Sequence, residues 1–126
     1  YTLSKRGEFE KAITDATKAI ELDPENKTYY ISRGHSLFWS RRYVEALSDY
    51  SKAISSDPYN SLYYVFRGNT YAKQKLFDDA LRDYETAIEL DPTNLAAYEK
   101  KKNLEHVMHA NNDRQTREDE PYHMYR

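Results

Sequence analysis

The sequence predicts an all-α solenoid of stacked antiparallel helix pairs. Three observations predict it: a fixed period, helical spacing of apolar residues within each half period, and a proline closing each unit. Ala12, Ala46 and Ala80 stand 34 residues apart, and the same step separates Ala19, Ala53 and Ala87. Asp15, Asp49 and Asp83 keep that step, as do Pro24, Pro58 and Pro92, and Gly34 and Gly68 share it. A period of this size marks a repeat architecture, in which each unit buries its apolar face only against its neighbours.

The first unit spans 1–25. Tyr1 to Arg6 reads as the end of a first helix, Gly7 as a turn, and Phe9 to Leu22 as a second helix. In the second unit, 26–59, Lys27 to Ser40 carries Tyr30, Arg33, Gly34, Leu37 and Phe38 at three- and four-residue spacing. Arg41-Arg42 makes the turn. Tyr43 to Ser56 then places Val44, Leu47, Tyr50, Ala53 and Ile54 on one stripe. Asp57-Pro58 ends it, because a residue before proline disfavours the helical region. The third unit, 60–93, repeats the plan with Ser61 to Gln74, a turn near Lys75, Phe77 to Leu90, and Asp91-Pro92.

A last helix over 94–110 holds Leu95, Tyr98, Leu104, Val107 and Met108. Lys102 and Glu105 replace the glycine and the large apolar residue of the earlier units. That substitution predicts a capping helix, since a terminal unit needs a polar outer face. Residues 111–126 lose the apolar spacing and read as a polar tail or an extension of the last helix. The register also reads as that of a fragment, because the position one period before Gly34 precedes Tyr1.

Composition narrows the function. Of 126 residues 32% are charged, 39% are hydrophobic and 13 are tyrosine, with a net charge of −2. Such a balance gives no general attraction to nucleic acid or anionic lipid. The absence of cysteine excludes disulfides, thiolate zinc sites and cysteine nucleophiles. No run approaches the roughly 20 apolar residues that span a bilayer. The chain does not open with a charged-then-apolar signal sequence. A cytoplasmic location is the expectation.

These ladders resemble the tetratricopeptide repeat family over residues 1 to 108. The residues that carry the likeness are aromatic (Tyr30, Tyr64, Tyr98), small (Gly34, Gly68) and large apolar (Leu3, Leu37, Tyr71). They continue with an aromatic at the turn (Phe9, Tyr43, Phe77), the two alanine ladders, an aromatic between them (Tyr50, Tyr84), and the prolines. The resemblance implies a right-handed superhelix whose first helices line a concave groove. It implies a non-enzymatic adaptor or scaffold that holds an extended or helical protein segment, with no cofactor and no metal. The groove residues it implies are Ile31, His35, Phe38, Trp39, Leu62, Val65, Phe66, Asn69, Lys73, Glu99 and Asn103, with Tyr1 and Lys5 from the first stub.

One subclass, the carboxylate-clamp co-chaperones, holds acidic C-terminal tails of heat-shock chaperones with Lys, Asn and Arg. In that register four clamp positions here are Tyr1, Ser32, Leu62 and Phe66. Shifted by one unit they are Ile31, His35, Phe66, Ala96 and Lys100. Neither set binds carboxylates, so a clamp belongs, if anywhere, to repeats outside this chain. Two other readings stand beside the groove. One is self-association, through the uncovered side of Phe9 to Leu22 or through the tail segment Pro121 to Arg126. The other is RNA binding, suggested by Lys100-Lys101-Lys102 and the many aromatics.

His106 and His109 can share a helix face with Glu105 or Asn112, but two histidines without a third good ligand make a poor metal site. The glycines are solitary, so no phosphate loop is present. Lastly, Arg33, Arg67 and Lys101 recur in step with the aspartates. This predicts ion pairs, either between units (Asp15–Arg33, Asp49–Arg67, Asp83–Lys101) or within them (Arg33–Asp49, Arg67–Asp83).

Overall fold

The computed structural model describes residues 3–119, with side chains from 6 to 110. Six helices follow one another: α1 Leu3–Leu22, α2 Lys27–Trp39, α3 Tyr43–Ser56, α4 Ser61–Lys73, α5 Phe77–Leu90 and α6 Leu95–Asp119. The principal contacts join each helix to its sequence neighbours, with α4 also touching α6. This is an all-α solenoid, as the period predicts.

Each unit starts on an asparagine. The Asn26 side-chain oxygen accepts from the Thr28 amide (3.0 Å), that of Asn60 from Leu62 (3.1 Å) and that of Asn94 from Ala97 (3.2 Å). An N-cap of this kind satisfies one orphan amide of the first turn. The three asparagines share the 34-residue step, a signal that the alanine and proline ladders overshadow. Behind them, the Tyr30 hydroxyl donates to the Pro24 carbonyl (2.8 Å) and the Tyr64 hydroxyl to that of Pro58 (2.9 Å). Each first-helix aromatic is thereby fastened to the loop that begins its unit.

The glycine ladder is explained by close approach. A Cβ built at Gly34 would lie 2.7 Å from the Tyr50 ring, and one at Gly68 would lie 2.7 Å from the Tyr84 ring. Both tyrosines are buried, and Ala46, Ala53, Ala80 and Ala87 are fully covered. Small residues on one helix thus admit large ones from the next. Two clusters form the core, one around Leu37, Ala46 and Tyr50, the other around Val65, Tyr84, Ala97 and Leu104.

Arg33 donates to both carboxylate oxygens of Asp49 at 2.7 Å, and Arg67 to both of Asp83 at 2.8 and 2.9 Å. The pairs lie within units, not between them. The free end of each guanidinium reaches back to the previous unit, at Thr17 (3.3 Å) and Ser51 (3.2 Å). Each arginine therefore joins three helices. The ladder changes at the last unit: Lys101 pairs not with Asp83 but with Glu85 at 3.5 Å, one period after Ser51.

Two expectations are corrected, at Gly7 and at Val44. Residues 3–22 form one helix, and Gly7 lies inside it with no positive φ. The matching positions Arg41 and Lys75 do turn, with φ of 65° and 63°. There the reversal is stabilised by the helix that folds back, and the Arg42 and Leu76 amides donate to the Leu37 and Tyr71 carbonyls (both 2.9 Å). No described helix folds back on α1 in that way, so local helical hydrogen bonds prevail at Gly7. Ala12, which such a helix would cover, is exposed.

The last helix runs on to Asp119, so residues 111–119 extend it, one of the two readings the sequence left for that segment. Its polar residues contain no glycine or proline to stop it. Val44, assigned to the apolar stripe of α3, is exposed, as are Leu95, Tyr98 and Val107 of α6. Among the described residues no further helix packs outside α6, and Val44 sits in the first turn of α3. The proposed ligand segment Pro121 to Arg126 lies outside the described residues.

Candidate functional site

The first helices present a shared concave face. On α2 it is formed by His35, Phe38 and Trp39, on α4 by Phe66, Asn69 and Lys73, and on α6 by Lys100, Asn103 and Val107. On α4 and α6 successive members are three or four apart, and on α2 Phe38 and Trp39 follow His35 by three and four, so they project from one side. Between the three helices runs a cavity of about 500 Å³, floored by Ala72, Phe77, Tyr84 and Leu104. A smaller recess of about 210 Å³ continues it over His35, Tyr50 and Phe66.

The floor is anchored by the tyrosines of the second helices. Tyr84 donates its hydroxyl proton to the Asn69 side-chain oxygen at 2.7 Å, and Tyr50 makes the matching 2.7 Å bond with His35 Nδ1. Burial pushes the Tyr84 hydroxyl up to about 12, with the Asp83 charge adding to it, and raises Tyr50 for the same reasons. Both phenols are neutral at ordinary pH. Burial also lowers His35, which favours its neutral ring. Tyr84 takes one lone pair of the Asn69 oxygen, which leaves the second lone pair and the NH2 group outside this bond.

The aromatic wall is half covered. Phe38 packs edge-on against Trp39 (5.3 Å between ring centres) and against Tyr43 (5.6 Å). Phe66 meets His35 edge-on at 4.6 Å. Trp39, 51% exposed, is the large aromatic that faces solvent here. It also forms one side of a second depression of about 530 Å³, with Arg6, Phe9 and Glu10 from α1 and Arg41 from the following turn. Trp39 is thus the ridge between two hollows.

Of the sequence-predicted groove residues, His35, Phe38, Phe66, Asn69, Lys73 and Asn103 come together, as does Trp39. Val65 does not belong. It is only 4% exposed and packs in the core with Ala80, Tyr84 and Leu104. Its side of α4 faces α5 and α6. Ile31 and Leu62 do not line the cavity, and Glu99 lies in a separate depression with Tyr98, Lys102 and Glu105. Tyr1 and the Lys5 side chain lie outside the described residues.

Two lining residues escaped the sequence reading although the period marks them. Val107 stands one period after Lys73 and two after Trp39, and Lys100 stands one period after Phe66. Among the described residues, no three His, Cys, Asp or Glu side chains cluster to hold a metal ion. None of the described helices is long and apolar enough to cross a membrane.

Comparison with known proteins agrees with this fold. Tetratricopeptide repeat models match residues 1–61 and 61–94. No curated protein sequence matches the chain. Among solved structures, the first repeat domain of Spaghetti (RPAP3), bound to the HSP90 peptide SRMEEVD, is 26% identical with a TM-score of 0.77 and 82% of each chain covered. The Arabidopsis OM64 repeat domain is 30% identical with a TM-score of 0.73, over 78% of this chain and 81% of that one. The second repeat domain of human RPAP3, in complex with the HSP70 peptide SGPTIEEVD, is 28% identical with a TM-score of 0.74, over 80% and 84%.

Proposed function

Because the chain belongs to the tetratricopeptide repeat family, we propose that it is a non-catalytic adaptor module whose concave face holds a segment of a partner protein. The observation that carries this reading is the cavity between α2, α4 and α6. Its wall combines the apolar Phe38, Trp39 and Val107 with the polar heads of Asn69, Lys73 and Asn103. Apolar anchors with a few placed polar groups suit a peptide segment, which offers side chains to bury and amides to register. Asn103 is exposed and brings both a donor and an acceptor.

The groove differs from a carboxylate clamp. Two structural neighbours hold peptides that end in EEVD. Here the corresponding positions in one register include Leu62, half exposed, and Phe66, packed against His35. An apolar surface at those positions stabilises no terminal carboxylate.

Trp39 is the single tryptophan of the chain, so its fluorescence reports on the groove directly. Peptides selected from a random library on the immobilised chain should shift that emission. They should lose most of their affinity for a Val107→Glu, Asn103→Ala variant, whose changes are at exposed positions and spare the core. Selected peptides that hold the variant as tightly, with Trp39 emission unmoved, would place binding elsewhere.

A further inference from the structure

The concave face collects positive charge in a chain whose net charge is −2. Lys73 on α4 and Lys100 on α6 line the cavity on one side of Trp39, and Arg6 and Arg41 line the depression on its other side. Among the described residues none of these four makes an ion pair, whereas Arg33, Arg42, Arg67, Lys27 and Lys101 all do. Among the described residues no acid lines the main cavity or its recess, and the acid in the outer depression, Glu10, faces Arg42 at 3.6 Å. Trp39, with Phe38 packed on it, stands between the two basic hollows, and Phe77 and Val107 line the cavity with the two lysines. The order across the ridge is cations, aromatic side chains, cations.

Resting on the groove reading above, we infer that the occupant is an internal, extended protein segment with acidic groups at both ends and large apolar side chains between them. Neighbouring packed helices stand roughly 8–10 Å apart, so α6 to α2 is a span of about 20 Å. At about 3.3 Å per extended residue this corresponds to roughly six residues between the acidic ends. A free C-terminus is not required, because the basic groups lie on both sides of Trp39 rather than around one end. The charges supply steering and register, and the apolar centre supplies the burial.

A single-stranded nucleic acid shares the negative charge but fits less well. It needs a continuous basic track and open ring faces on which bases stack. Here the cations fall into two groups parted by Trp39, and Phe38 and Phe66 spend their faces and edges on neighbouring rings.

Arg41 offers an unusually clean test. It holds a left-handed backbone conformation (φ 65°), as does Lys75 (φ 63°), which lines neither hollow. Glycine adopts that conformation without strain, so Arg41→Gly and Lys75→Gly should both raise the melting temperature. Only Arg41→Gly removes a groove charge. The probe is an eight-residue peptide, acetylated and amidated, with two acids at each end and four apolar residues between. It is compared, by Trp39 fluorescence and calorimetry, with a twin carrying lysines in place of the acids and with a uridine hexamer.

The acidic peptide should bind at least about tenfold more tightly than its basic twin at low salt, and less tightly as salt rises. Arg41→Gly should weaken it roughly two- to fivefold while stabilising the fold, Lys75→Gly should stabilise without weakening, and Lys73→Glu with Lys100→Glu should weaken it more than about tenfold. A basic twin that binds equally well would overturn the acidic assignment while leaving the groove intact. Failure of both peptides, with library-selected peptides still reporting through Trp39, would do the same. Tighter binding of the uridine hexamer would replace the protein segment by RNA. Equal effects of Arg41→Gly and Lys75→Gly on affinity would remove Arg41 from the site.

Discussion

The two complete units, α2–α3 and α4–α5, agree in their interior and differ on their concave face. Inside, the arginine–aspartate pairs, the tyrosine over glycine, the asparagine cap and the tyrosine-to-proline-loop bond recur with distances that match within about 0.2 Å. Even the turn residues repeat the same left-handed conformation with different side chains, Arg41 and Lys75. On the groove side, His35 is answered by Asn69, Phe38 by Ala72 and Trp39 by Lys73. Positions that hold neighbouring helices together are copied because each junction poses the same packing problem. Positions that face the cavity are released from that constraint, and they are where a ligand can be specified.

If the interior is one solution used twice, breaking it in either unit should cost the same. Arg33→Met strands Asp49 and Arg67→Met strands Asp83, each a nearly covered carboxylate. Removing one partner of a buried pair leaves an uncompensated charge, so each variant should lose about 3 kcal/mol in urea unfolding. Lys101→Met, whose partner Glu85 is half exposed, should lose less than about 1 kcal/mol. A large loss at Lys101, or a marked difference between the two arginines, would refute the equivalence. Next in size come Gly34→Ala and Gly68→Ala. Each presses a methyl into a buried tyrosine ring and should cost about 1–3 kcal/mol. Tyr50→Leu should recover part of the Gly34→Ala loss, since the two positions share one space.

That same distinction decided what could be read from the sequence. The period located α2 to α5 almost to the residue, because turn, cap and small-residue positions recur and each copy checks the others. It was weakest where a copy lacks its partner. At Gly7 the ladder signals a turn, yet a turn at this position depends on a helix folding back, which sequence alone does not supply. Val65 was misplaced for another reason. It is a first-helix residue near groove positions, but its small angular offset along α4 turns it into the core. Lys100 and Val107 were legible by counting forward from Phe66 and Lys73. They were hidden because the last helix reads as a cap, although a cap on one face can still be a groove wall on another.

Gly7 sharpens the comparison between the end and the middle of the solenoid. In the structure a Cβ at Gly7 meets nothing within 4 Å, and the backbone is helical. Gly7→Ala should then stabilise by roughly 0.5–1 kcal/mol, as for any exposed helix interior. If residues 1–6 instead fold back in solution through a left-handed turn at Gly7, the same change should destabilise. Thermal unfolding followed by circular dichroism reads the sign directly.

The smallest expected effect concerns an interior bond in which the two units differ chemically. Tyr50 meets a titratable ring at His35, where Tyr84 meets the amide of Asn69. Burial lowers the His35 pKa below its ordinary value of 6.5, so the folded chain binds that proton less readily than the unfolded chain. A group depressed on folding contributes stability that is complete above its unfolded pKa and is lost as pH falls through that value toward the folded one. Wild-type stability should therefore decline from neutral pH into the range just below 6.5, beyond whatever the carboxylates contribute at lower pH. His35→Asn substitutes the third unit's hydrogen bond for the second's and should flatten this segment of the profile while leaving stability at pH 8 nearly unchanged. A slope that persists in His35→Asn would assign the acid sensitivity to another group, and a large loss at pH 8 would mean that the ring's packing against Phe66, not its bond to Tyr50, is what the second unit requires.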